Sequence, residues 1–200
     1  MKRIPISMIA VILASWLWLL PSTARADQPL VVKPLAEKKV SELPAGPLFW
    51  RIENFTALAQ AQAAAGPWGL VAESAGKVWL FTLGPAGGSS AGGTNVAEVG
   101  PIPRIVAPQY LLRINEASGP PDSVTPVHTH PGSEAFYVLA GEQSIRSPRG
   151  EMRVKVGQHA TGHGADTLMQ VSSSGSTDLH SLVMFVLDAT KPFSSPAKFP

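Results

Sequence analysis

Residues 126–141 read Pro126-Val127-His128-Thr129-His130-Pro131-Gly132-Ser133-Glu134-Ala135-Phe136-Tyr137-Val138-Leu139-Ala140-Gly141. Side chains two apart on an extended strand point to the same side. His128 and His130 therefore aim both imidazoles into one space. Pro131-Gly132 bends the chain and can bring Glu134 round to the same point. The apolar and aromatic run Ala135–Ala140 follows directly, and Gly141 closes it. A carboxylate set against such a run needs a partner or a cation. Two neutral imidazoles and a carboxylate, with positions left open, suit a divalent transition ion: iron or manganese by preference, with zinc, nickel or copper as alternatives. The plainer reading, in which both histidines are surface loop residues, leaves their strand spacing and the following carboxylate unexplained.

Working outward, the sequence downstream continues as strands. Gln143–Arg146 and Glu151–Val156 flank the turn Ser147-Pro148-Arg149-Gly150. In the second of these Met152, Val154 and Val156 alternate with Glu151, Arg153 and Lys155, as in a strand with one solvated face. Residues 168–172 are a further candidate strand. Leu182–Leu187 (LVMFVL) reads as a strand buried on both faces. Residues 191–200, with three prolines, read as a tail.

Upstream, Tyr110, Leu112 and Ile114 alternate with Leu111, Arg113 and Asn115. Residues 68–72 and 77–83 flank Ser74-Ala75-Gly76 as a hairpin. The loop GPAGGSSAGG (84–93) reads as flexible, and a phosphate-cradling role has little support because no helix or lysine follows it in place. Residues 96–106 read as short extended pieces broken by Pro101 and Pro103. ALAQAQAAA (57–65) is the one helix expected, capped by Asn54 or Thr56 and ended by Gly66-Pro67. Trp50, Trp68 and Trp79 are expected as core or pocket wall. Residues 27–47 hold four prolines and no sustained period, which suggests an extended N-terminal arm.

The first 26 residues carry the layout of a secretory signal peptide: Lys2 and Arg3, an apolar run to Leu20, then Ala24-Arg25-Ala26. Their removal would leave 174 residues, 27–200, enough for one domain. The formal charge of +2 rests on Lys2, Arg3 and Arg25; without them the balance is 13 positive against 14 negative. A periplasmic or secreted location follows, with no stable membrane insertion after cleavage. No nucleic-acid footprint is expected, because basic residues are scattered. Cys is absent, so disulfides, thiolate metal sites and cysteine nucleophiles are excluded. With 18 Gly and 19 Pro, turns are frequent and long helices disfavoured, which points to an all-β domain.

His128-Thr129-His130, then Glu134 and Gly141, resemble the first motif of the cupin superfamily, in which H-x-H, a Glu and a Gly follow in that order. The resemblance covers about residues 109–187 and implies a jelly-roll β-barrel, spanning 48–200 with its motif core at 109–187, that holds a metal on His128, His130 and Glu134. The second motif should bring another Gly, which Gly157 fills, and a third His. Counting back from Gly175 puts Met169 in that place, and a thioether suits the ions above poorly. His159, His163 and Gln170 stand nearby as possible fourth ligands, and water is the other alternative.

Cupins include dioxygenases, decarboxylases and isomerases, and a fold does not choose among them. The resemblance implies a metal-dependent enzyme on a small organic molecule, with dioxygenase-like chemistry favoured. A non-catalytic module for a small ligand or metal is the alternative, and an empty structural barrel is the third. A homodimer is implied by resemblance alone.

Overall fold

The computed structural model describes residues 28–200. The expected signal peptide, residues 1–26, therefore lies outside the described residues. In chain order the elements are β1 (Val31–Val40), β2 (Leu48–Phe55), α1 (Leu58–Ala64), β3 (Gly69–Ser74), β4 (Lys77–Gly84), β5 (Thr94–Ile102), β6 (Tyr110–Gly119) and β7 (His128–Thr129). They continue as β8 (Gly132–Ala140), β9 (Glu142–Ser147), β10 (Gly150–Lys155), β11 (His159–Thr161), β12 (Gln170–Ser173), β13 (Leu179–Asp188) and β14 (Ser195–Pro196). The domain is all-β with one short helix, as expected.

Among the described residues the strands form four antiparallel sheets, the smallest being the β14-β7 pair. The central sheet runs β1-β6-β13-β8-β11, an outer sheet runs β3-β4-β2-β5, and a three-stranded sheet runs β10-β9-β12. The central sheet is covered on both faces, which explains the unbroken apolar run of β13. Leu182, Met184 and Val186 face the outer sheet and join Trp50, Trp79 and Phe81 in one core. Val183, Phe185 and Leu187 face the three-stranded sheet and join Phe136, Ile145 and Met169 in a second core. The second core lies inside the barrel. The same alternation splits the motif strand: Ala135 and Tyr137 pack on the outer layer, Phe136 and Val138 in the barrel.

Some expectations change. The N-terminal arm is no free lead-in: Val31–Val40 pairs along β6, from Val31 opposite Ser118 to Val40 opposite Tyr110, with a bulge between Pro34 and Ala36. Pro34 is tolerated because β1 is an edge strand. Residues 48–102 form the outer layer with α1 rather than strands of the barrel proper. Pro101 does not break β5, which runs to Ile102 beside β2. The helix starts from Ala57 with no side-chain cap; Asn54 lies in β2, and Thr56 donates to the Gln60 side chain instead. Trp50 and Trp79 are core residues, and Trp68 packs beside them.

Two polar clusters hold the outer layer. Glu53, fully buried, accepts from the Ser90 amide and hydroxyl, both at 2.7 Å, and from Arg51 Nε at 3.0 Å. Burial alone would raise this carboxyl, but Ser90 and Arg51 outweigh it and hold it below the usual range. The glycine-rich loop is thereby pinned at Ser90, and Arg51 also reaches Gly87 O. The second cluster joins β3 to the central sheet. Ser74 donates to Glu116 Oε2 at 2.6 Å, and His180 Nε2 lies 3.2 Å from that same oxygen.

Candidate functional site

The two histidines and the glutamate of the quoted stretch line one cavity of about 300 Å³ inside the barrel. Strand geometry puts them there. His128 belongs to β7 and is held opposite Met169 by two backbone hydrogen bonds of 2.9 and 3.0 Å. His130 follows two residues on, and its ring meets that of His128 edge to face at 4.9 Å. Glu134 sits on β8 opposite Phe185 of β13, on the barrel side of the sheet.

Both imidazoles have their outer nitrogen committed. His128 Nδ1 lies 2.8 Å from Pro126 O, and His130 Nδ1 lies 2.7 Å from Phe193 O. A carbonyl only accepts, so in each ring Nδ1 carries the hydrogen and Nε2 keeps its lone pair. This is the arrangement that orients a ligating histidine. His130 is buried, which pushes its pKa down to about 4; the nearby His128 and Arg113 add to this, while the Phe193 carbonyl opposes it. It is therefore neutral at pH 7.

Glu134 is 2% exposed and its Oε1 has no hydrogen-bond partner among the described residues. Burial pushes its pKa up to about 8. Gly162 lies directly against it: its amide donates to Glu134 O at 2.9 Å, and a Cβ there would collide with Glu134 Cγ. The approach of the second-motif loop to the first thus requires a glycine.

Other residues lining this space were not singled out from the sequence. Asn115 of β6 accepts from Arg113 Nε at 2.8 Å, which turns its Nδ2 side to donate elsewhere. Phe193, Ser194 and Pro196 come from the supposed tail, which folds back so that β14 pairs with β7. Phe193 packs on His130 at 4.8 Å and on Phe185 at 5.1 Å, and the Arg113 guanidinium lies over its other contacts at 4.2 Å from the ring centroid. No local pattern around residue 193 signals this role.

The three residues considered as a fourth ligand do not line the cavity. His159 is exposed and sits opposite Tyr137, on the register that faces away from the barrel interior. Gln170 donates to Thr125 O at 3.2 Å. His163 has a buried Nε2 without a partner among the described residues, and burial lowers its pKa. Met169 is 1% exposed in the barrel core.

The donor types and the partnerless Glu134 oxygen suit a divalent transition ion. Their spacing in this arrangement is looser: among the described residues no three of His, Asp and Glu stand close enough together to hold one.

No family model matches the chain, and no curated protein matches it. Solved structures do match over part of it. The DMSP lyase from Ruegeria pomeroyi is 20% identical over 43% of this chain and 43% of that chain, with a TM-score of 0.37. A cupin-like protein from Thermotoga maritima is 13% identical over 43% of this chain and 64% of that chain, at 0.39. A cupin superfamily protein from Desulfitobacterium hafniense is 14% identical over 38% and 68%, at 0.35. The chain thus spans less than two thirds of the length of the first two. His128, His130, Glu134 and Gly141 lie along β7, β8 and the turn that ends β8, within an all-β domain of antiparallel sheets.

Proposed function

We propose that this protein is a cupin that holds a divalent transition ion, iron or manganese by preference, on His128, His130 and Glu134, and acts on a small organic molecule in the adjoining cavity. One observation carries the reading. Two imidazoles with both Nδ1 hydrogens engaged share an apolar cavity with a buried carboxyl whose Oε1 lacks a partner among the described residues. A cation is the group that would answer that carboxylate.

A bound ion would supply Lewis-acid or redox chemistry, and two histidines with one carboxylate favour oxygenase-type reactions. The residues of the chain supply the rest. Phe193 O holds the His130 tautomer. Glu134 would hold the ion as the carboxylate. Phe136, Phe185 and Phe193 exclude water. In this reading the protein works in the periplasm or outside the cell, after loss of residues 1–26.

The test is the metal content of protein purified without a metal-affinity tag. Stoichiometric metal is expected, lost in His128→Ala and in His130→Ala. Metal-free wild-type protein that stays metal-free in the presence of Fe(II) or Mn(II) sinks the proposal.

A second reading is a binding module that works without metal. Met169 in the third-histidine place and the looser donor spacing favour it. There Glu134 stays protonated at neutral pH and donates to the ligand. Oxygen uptake with phenolic or thiol substrates separates the two.

A further inference from the structure

The walls of the cavity select what enters it. Among the described residues no lysine or arginine lines it, and the ionisable side chains in its lining are His128, His130 and Glu134. Arg113, whose charge is felt at His130, is engaged elsewhere: it donates to Asn115 Oδ1 at 2.8 Å and to Glu37 at 3.4 Å, and packs on the Phe193 ring. With no metal in place, an anion in this space meets a carboxyl and aromatic rings with no lysine or arginine of the lining to answer it, and an unpaired buried charge is costly.

The remaining wall is apolar and flat-sided. Phe136 and Phe185 stand on neighbouring strands of the central sheet, and Phe193 meets Phe185 at 72°. Val183, on the strand that carries Phe185, and Val171 of β12 add branched aliphatic surface. A cavity of about 150 Å³ takes one benzene ring, and this one measures about 300 Å³. Its polar side chains are His128, His130, Glu134, Asn115, Thr125 and Ser194, and the two imidazole rings, 4.9 Å apart, mark its polar end.

Resting on the reading of this cavity as a small-molecule site, we propose that it takes a neutral one- or two-ring molecule bearing one polar oxygen, and rejects carboxylates and phosphates. The ring lies among Phe136, Phe185 and Phe193, and the oxygen meets the polar end. The folded-back segment is part of the selection, because Phe193 closes the wall.

Isothermal titration with 2-naphthol and 2-naphthoate tests this, on the full chain as purified and after chelation. The two probes share a ring system and differ in charge. Expected is binding of 2-naphthol in both preparations, with 2-naphthoate more than about tenfold weaker after chelation. Phe193→Ala should weaken 2-naphthol about tenfold, since a buried aromatic wall is lost, and Phe193→Leu should retain most of the affinity. Equal or tighter binding of 2-naphthoate after chelation overturns the proposal, as does failure of both probes to bind. Metal content of the same samples is measured separately. A chain that carries metal but binds neither probe loses this ligand class and keeps the metal reading. A metal-free chain that binds 2-naphthol does the reverse.

Discussion

The two faces of the central sheet are built from the same strands and do different things. Toward the outer layer, Leu182, Met184 and Val186 meet Trp50, Trp79 and Phe81 in a filled, apolar core. Toward the three-stranded sheet, residues one position along the same strands border an open cavity that holds His130 and Glu134 at 4% and 2% exposure. Alternation of side chains lets one strand serve stability on one face and carry costly polar groups on the other. The filled face stabilises a barrel whose inner face is underfilled and has a carboxyl without a partner among the described residues.

The largest expected effect lies on the filled face. Phe81 is fully buried, and Phe81→Ala should cost about 3–5 kcal/mol in urea unfolding. Metal content per folded chain should not change. If Phe81→Ala costs less than about 1 kcal/mol, the two faces do not differ as described.

On the cavity face, pH separates two groups. Burial raises the folded pKa of Glu134 to about 8, above its ordinary value of 4.5. The folded protein therefore binds the extra proton between those values, and its stability falls as pH rises through that window. Burial lowers the folded pKa of His130 to about 4, below its ordinary value of 6.5, so its contribution to stability is lost as pH falls from 6.5 to 4. Together they give metal-free protein a plateau between pH 4.5 and 6.5 and a decline toward pH 8. Glu134→Gln should remove that decline, a difference on the order of 4 kcal/mol at pH 8. Denaturant melts across the pH range read it directly, and parallel curves for the two proteins would show that Glu134 ionises freely.

Between the faces stands the Ser74–Glu116–His180 cluster. Ser74→Ala removes the 2.6 Å hydrogen bond to Glu116 and should cost about 1 kcal/mol, with no change in ligand affinity. The smallest effect is at the β3–β4 hairpin, where Ala75 has φ 52°. Asparagine tolerates that left-handed conformation better, so Ala75→Asn should raise stability by about 0.5–1 kcal/mol. An unchanged or lower melting temperature counts against it.

Much of the barrel was legible in the residues. The alternation at 151–155 and the run at 182–187 read correctly, because each records burial on one face or two; Val156, expected on the buried face, lies past the end of β10 and is exposed. The hairpin at Ala75 was visible from its turn residues. The strand at 31–40 was not: its outer half is exposed, and VVKP has no period to announce a partner. The loop at 84–93 read as flexible because glycines signal freedom, while the buried Glu53 that pins it lies some 30 residues earlier in the chain.

The candidate site divides in the same way. His128, His130 and Glu134 could be gathered from sequence because strand spacing two apart is a local rule, and the chain within nine residues suffices to apply it. Gly141 fits the same local pattern: it has φ 72°, and a Cβ there would press on Asp178 O at 2.6 Å. What encloses the donors was decided by tertiary structure. Asn115 arrives across β13, Gly162 from the loop before β12, and Phe193 from a segment that reads as a plain tail. Only the folded chain shows that the Phe193 carbonyl orients His130, and that Met169, which counting from Gly175 already put in the third-histidine place, pairs directly with His128. Local geometry chooses which side a side chain faces; which distant surfaces then close over it depends on sheet packing, and that is written in no single stretch of sequence.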